Sequence, residues 1–149
     1  MRTRTARTTA STVTGPSMDS VPPRTNQVQI SEVEIADFCA RTGDDNTIHH
    51  QQPRVVPALL VMEKLARLFQ QGNLVDGIPV FREIIRQKFL RALHGGDFIY
   101  ATYSVQTVKT ITRLNILVVV VSFKVYNQDD QMVGQGEWEM TILPKLSSN

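Results

Sequence analysis

The amino-acid sequence predicts an α+β domain in which one long helix is wrapped by a curved antiparallel sheet. Three observations point there. A helix that is apolar all round opens at Pro57, four strand-like stretches follow one another after Pro79, and a short capped helix precedes both. A helix apolar on every side is enclosed by other structure. Strands in an uninterrupted run supply such a cover when they form one curved layer. The chain has 149 residues, 42% of them apolar, enough for a single domain to bury a core without staples.

Taken from the N-terminus, residues 1–27 (MRTRTARTTASTVTGPSMDSVPPRTNQ) hold Arg, Thr, Ser and Pro with few large apolar side chains. Such a composition does not offset the entropy of ordering, so a disordered tail is expected, followed by one domain over residues 28–145. The tail faintly resembles an organelle transit peptide but lacks an amphipathic face. A translation start at Met18 is the plainer expectation. It would remove Arg2, Arg4 and Arg7, and with them the whole positive excess of the formal +2 charge.

Ser31-Glu32-Val33-Glu34 has the form of a capping box, with Ile30 and Ile35 placed as a hydrophobic staple. Ile35, Phe38 and Cys39 make a short apolar face and Gly43 is a natural stop, giving a helix over about residues 32–41. Pro57 suits a first helical turn. Beyond it Ala58, Leu59, Met62, Leu65, Ala66 and Phe69 recur at helical spacing until Gly72. About 15 residues at ~1.5 Å each give ~22 Å, the span of a small sheet.

Residues 81–93, 98–110, 114–126 and 132–143 read as strands. Gly95-Gly96-Asp97 and Asn127-Gln128-Asp129-Asp130 are the turn signals between them. The third stretch is rich in Val and Ile, as a strand buried on both faces would be. Gly134 and Gly136 suggest a bulge in the last.

Several function classes fall away. The longest purely apolar runs, 58–62 and 116–121, are far short of the roughly 20 residues of a membrane helix, and no apolar leader is evident. The charge is too small, and basic residues too scattered, for nucleic acid. Cys39 is the single cysteine, so no intrachain disulfide forms and a reducing, cytoplasmic setting is expected. It sits on an apolar face without a cationic neighbour pattern and reads as a buried structural thiol. Asp44, His49 and His50 have the residue types of a metal site but no strong ligand spacing, so no metal and no cofactor are expected.

The stretch that carries chemistry is Thr42-Gly43-Asp44-Asp45-Asn46-Thr47-Ile48-His49. It resembles the hydratase 2 motif, S-G-D-x-N-P-[IL]-H, of the MaoC-like (R)-specific enoyl hydratases and 3-hydroxyacyl dehydratases. Asp44, Asn46, Ile48 and His49 fall in register, and Thr42 replaces Ser. The resemblance continues at Val55-Val56-Pro57-Ala58-Leu59-Leu60, where the family has a segment like I-V-H-G-M-L, and at Phe89 to Asp97, where it has F-x-x-P-V-x-x-G-D. The three matches keep the family order over roughly residues 30–143.

The resemblance implies a hot-dog fold and the interconversion of (3R)-hydroxyacyl and trans-2-enoyl thioesters of coenzyme A or an acyl carrier protein. That reaction needs an acid, a base and a donor to the developing enolate oxygen. The implied catalytic pair is Asp44 and His49, an imidazole being the group that exchanges protons near neutral pH. Asn46, Ala58 and Leu59 are the implied substrate-binding residues, with the Ala58 amide polarising the carbonyl at the start of the long helix. The implied partner is a second hot-dog subunit, as homodimer or as heterodimer with a related chain.

Thr47 for proline, Pro57-Ala58 for His-Gly and Ala92 for proline depart from the family pattern. They fit a pocket specialised for an unusual, polyketide-type acyl chain. They fit equally a hot-dog subunit that binds acyl thioesters without catalysis, and a hot-dog thioesterase is a third reading. Beside these stand plainer ones: Asp44-Asp45-Asn46 as an Asx turn, His50 facing elsewhere and His94 in a turn. Arg82, Arg86 and Lys88 share one strand face, which either is solvated or meets an acidic carrier protein or the phosphates of coenzyme A.

Overall fold

The computed structural model describes residues 21–146. The elements run β1 (Val28–Gln29), α1 (Glu32–Thr42), α2 (Ala58–Gln71), β2 (Ile78–Phe89), β3 (Phe98–Ile111), β4 (Ile116–Asn127) and β5 (Met132–Leu143). All strands pair antiparallel in the order β1-β3-β4-β5-β2. The sheet curls around α2, the hot-dog arrangement that the sequence predicts. Among the described residues no helix is long and apolar enough to cross a membrane.

The N-terminus of α1 is closed by the expected capping box. The Glu34 amide donates to Ser31 Oγ (3.1 Å) and the Ser31 amide to Glu34 Oε2 (2.9 Å). Gly43 ends the helix in the left-handed region, at φ 71°, where a side chain would be strained. The second oxygen of Glu34 pairs with Lys64, a buried lysine of α2. Burial pushes the Glu34 carboxyl up, but hydrogen bonds from Lys64 and Ser31 outweigh it and leave the group below the usual carboxylate range. A lysine on the inner face of α2 is therefore tolerated because α1 brings it a counter-charge.

Pro57 stands one position outside α2, as its N-cap. Leu60, Val61, Leu65, Leu68 and Phe69 carry the buried face. The Phe69 ring meets Tyr103, Phe123 and Trp138 with centroids 5.9, 5.3 and 5.7 Å away. The Trp138 indole donates to Gln87 Oε1 at 3.0 Å.

Gly136 does not mark a bulge. It pairs in register with Phe123 and Gln87, and a Cβ there would lie 2.6 Å from the Phe123 ring and 2.8 Å from the Arg86 carbonyl oxygen. The glycine makes room for close packing. The irregularity of β5 falls beside Gly134 instead, where Val125 pairs with Gly134 but Tyr126 with Met132. Two further irregularities lie in β2, between Phe81 and Glu83 and between Ile84 and Arg86.

Pro23, Arg24 and Thr25, within the stretch 1–27 that composition marks as tail, make contacts with the sheet. The Tyr103 amide donates to the Pro23 carbonyl (3.0 Å), the Thr25 amide to the Ala101 carbonyl (2.8 Å), and the Ala101 amide to Thr25 Oγ1 (2.9 Å). The Arg24 guanidinium lies 3.7 Å above the Tyr100 ring. The free edge of β3 recruits these residues through backbone pairing, which composition does not register. The tail expectation for residues 1–20, and the Met18 start with it, lie outside the described residues.

Candidate active site

Local geometry brings the Asp/His pair together. The Asn46 amide donates to Asp44 Oδ1 (3.0 Å), an Asx turn, and the Ile48 amide to Asn46 Oδ1 (3.3 Å). The second bond caps a single 3-10 turn over Thr47–His49. Two side-chain acceptors two residues apart thus wind the chain tightly. They return His49 to Asp44, with Nε2 3.7 Å from Oδ2. Asn46 does this work with its own Oδ1 and is exposed. It holds the turn, and its side chain is not among those lining the cavity described below.

His49 is 8% exposed, and its Nδ1 is 2.6 Å from the Val55 carbonyl oxygen. A carbonyl only accepts, so Nδ1 carries the hydrogen and donates. In the neutral ring Nε2 then presents a lone pair toward Asp44. Asp44 Oδ1 is occupied by the Asn46 amide while Oδ2 faces the imidazole. His50 turns away, its Nε2 2.7 Å from the Asp44 backbone carbonyl oxygen.

At the start of α2 the Leu60 and Val61 amides both donate to the Pro57 carbonyl (3.0 and 3.2 Å). Pro57 offers no side-chain cap, and the Ala58 and Leu59 amides have no acceptor among the described residues. Two donors at the positive end of a 14-residue helix form a site for developing negative charge.

Beside them lies a cavity of about 270 Å³, walled by Val55, Val56, Ala58, Val61, Leu65, Gln87 and the segment from Phe89 to Leu93. It is mostly apolar, as acyl pockets are. Asp44 and His49 do not line it. They are joined to it through Val55, which lines the cavity and whose carbonyl holds His49. The Leu59 side chain is 67% exposed and does not line the cavity. On the outer side of the first helical turn, it turns its amide rather than its side chain toward the start of α2. Gln87 also lines the cavity, opposite Gly136 and accepting from the Trp138 indole, and no local pattern in the sequence marks it.

The remaining candidates sit as structural groups. Cys39 is buried; burial pushes its thiol up, the Asp44 charge adds to this and Arg54 opposes it. The His94 amide donates to Asp97 Oδ2 (2.8 Å) within the turn before β3. Arg82 pairs with Glu139 at 3.3 Å, and Arg86 stands opposite Glu137. The basic row of β2 is thus partly matched by acids of β5. Among the described residues no three His, Cys, Asp or Glu side chains are arranged to hold a metal ion.

No family model matches the chain, and no curated protein sequence does. Solved structures match it in fold. The (R)-hydratase from A. caviae involved in PHA biosynthesis is 18% identical, with 84% of this chain and 97% of that one covered and a TM-score of 0.63. The C-terminally truncated HadBC (3R-hydroxyacyl-ACP dehydratase) complex from Mycobacterium tuberculosis is 14% identical, with 80% and 95% covered and a TM-score of 0.62. A thioesterase superfamily member from Thermus thermophilus is 15% identical, with 83% of each chain covered and a TM-score of 0.54. The likeness is one of fold: this is the hot-dog fold that MaoC-like dehydratases and (R)-hydratases share.

Proposed function

We propose that the chain interconverts (3R)-hydroxyacyl and trans-2-enoyl thioesters. One observation carries the reading: Nε2 of a buried His49 presents its lone pair to Asp44 Oδ2 across 3.7 Å. That gap is too long for a direct hydrogen bond and suits one oxygen held between two acceptors. In hydration that oxygen is a water. His49 Nε2 takes one of its protons as the oxygen adds to C3. Asp44 Oδ2 accepts a hydrogen bond from the O–H that stays on that oxygen and stabilises the imidazolium. The enolate forming on the thioester faces the free amides of Ala58 and Leu59, and the imidazolium returns its proton to C2. Dehydration runs the same steps backwards, the C2 proton passing through Nε2 to the departing hydroxyl. The apolar cavity beside Ala58 takes the acyl chain, and the Thr47, Pro57, Ala58 and Ala92 departures fit a chain of unusual, polyketide-type shape. Coenzyme A or an acyl carrier protein would hold the thioester.

The test supplies purified protein with a short trans-2-enoyl thioester and follows enoyl absorbance and free thiol together. Enoyl loss without thiol is expected. The thioesterase-superfamily neighbour favours a second reading, hydrolysis with a carboxylate activating water, and thiol release would establish it in place of hydration. Thioester binding with neither change would assign a non-catalytic subunit.

Assembly follows from the same fold. The outer edge of β2 has no strand partner among the described residues, and Val80, Ile85 and Phe89 are each about half exposed along it. An open apolar edge of 12 residues is a template for pairing. HadBC, a complex of two such subunits, supports pairing with a second copy or a related hot-dog chain. Val80→Lys with Ile85→Lys, both outside the core, is expected to convert the dimer into monomer in size-exclusion chromatography with light scattering. An unchanged mass would show that β2 is not the interface.

A further inference from the structure

We propose that Glu32, Arg54 and Gly95 form a clamp that holds His49 as the Nδ1–H tautomer with Nε2 toward Asp44. Its consequence for turnover rests on the reading of His49 as the proton carrier. None of the three touches the reacting atoms; they are positioning residues.

The chain of contacts is short and continuous. Glu32, in the first turn of α1, receives the Arg54 amide on Oε1 (3.1 Å) and the Arg54 Nη1 on Oε2 (2.8 Å). The Arg54 carbonyl accepts from the Gly95 amide (2.9 Å). One residue is thereby held by its amide, its carbonyl and its side chain. The next peptide is held in the same way. The Val55 amide donates to the Ile48 carbonyl (3.0 Å) and the Val56 amide to the Leu93 carbonyl (2.8 Å). A trans peptide is planar with its C=O opposed to the following N–H. Aiming the Val56 N–H at Leu93 therefore aims the Val55 C=O the other way, onto His49 Nδ1 at 2.6 Å.

Gly95 is explained by the same clamp. A Cβ on it would lie 2.4 Å from the Glu32 carboxyl carbon and from Oε1. Its backbone is outside the positive-φ set, so space for the carboxylate, rather than torsional freedom, calls for glycine. The pair is electrostatically tight as well: the Arg54 hydrogen bonds hold the Glu32 carboxyl below the usual carboxylate range against a smaller desolvation effect. Loosening the clamp frees the Val55 carbonyl to turn. The imidazole then gains the alternative tautomer, in which Nε2 carries the hydrogen and cannot accept a proton.

The experiment uses the full chain with imidazole-¹⁵N-labelled histidine in mildly alkaline solution. Wild type is expected to show His49 as Nδ1–H. Glu32→Gln, whose side-chain NH₂ meets donors of Arg54, and Gly95→Ala are each expected to shift His49 toward Nε2–H. They should also lower kcat on a trans-2-enoyl thioester by ~10- to 100-fold with little change in KM, and Glu32→Asp should recover part of both. If Gly95→Ala does not fold, Glu32→Gln decides. An unchanged tautomer in folded Glu32→Gln would overturn the clamp, as would a shifted tautomer with unchanged kcat. If wild type turns over no thioester, the proposed reaction falls while the nitrogen spectrum still judges the clamp.

Discussion

Replacing Asp44 by asparagine is expected to lower thioester hydration by about 10²- to 10⁴-fold, the usual worth of general acid–base catalysis, with the fold intact. The substitution is clean. An asparagine Oδ1 still accepts from the Asn46 amide, as Asp44 does at 3.0 Å, so the turn that brings His49 back survives. What changes is the second atom. An NH₂ group replaces the oxygen 3.7 Å from His49 Nε2 and donates toward the lone pair that should accept from water. His49→Ala is expected to fall by a similar factor, but it also strips the Val55 carbonyl of its donor. A buried acceptor left without a partner costs about 1–3 kcal/mol, so its stability is measured alongside. Steady-state rates on a short trans-2-enoyl thioester, with circular dichroism of each variant, provide the check. Near-normal turnover in either variant removes that residue from the mechanism.

Trp138→Ala is expected to destabilise the domain by about 3–5 kcal/mol, the range for truncating a buried aromatic. Trp138 is 1% exposed and sits at the centre of the aromatic cluster. Its ring centroid is 4.9 Å from Phe123, 5.4 Å from Phe81 and 5.7 Å from Phe69, so one side chain joins α2, β2, β4 and β5. Its indole is also the donor to Gln87 Oε1, whose amide nitrogen has no acceptor among the described residues. The truncation leaves that buried amide without any bond, which places the effect toward the upper end. Against a total stability of about 5–15 kcal/mol for a domain, much of the margin disappears. The midpoint of urea unfolding reads it directly. A loss under about 1 kcal/mol would mean that the sheet collapses onto the gap, contrary to the close packing described.

Much of this arrangement is legible in the letters because the signals are local. Ser31 and Glu34 lie three apart and the capping box forms as read. The apolar positions of α2 repeat at helical spacing, and the last strand has the bounds the pattern predicts. The Asx turn at Asp44 was visible as the plain alternative to a catalytic motif. The turn forms, and it is what returns the imidazole to Asp44. The direction of a side chain is not legible in the same way. Asn46 Oδ1 turns back to the Ile48 amide and the Leu59 side chain faces outward, because a motif records spacing along the chain and not the direction of a bond.

By itself, then, the sequence determined the two helices, the existence of the four long strands and the closeness of Asp44 to His49, but not the short β1 or the bounds of β2, read over 81–93 and observed over Ile78–Phe89. Each follows from torsional preference and from hydrogen bonds over a few residues. Only the tertiary structure decided that β2 crosses to pair with β5, that Pro23 to Thr25 join the edge of β3, and that the Val55 carbonyl selects the His49 tautomer. All three rest on contacts between segments far apart in the chain, the last of them on Glu32 and Gly95 meeting Arg54. Backbone amides and carbonyls are the same in every residue but proline, so their long-range partners leave no trace in composition or periodicity until the chain has closed on itself.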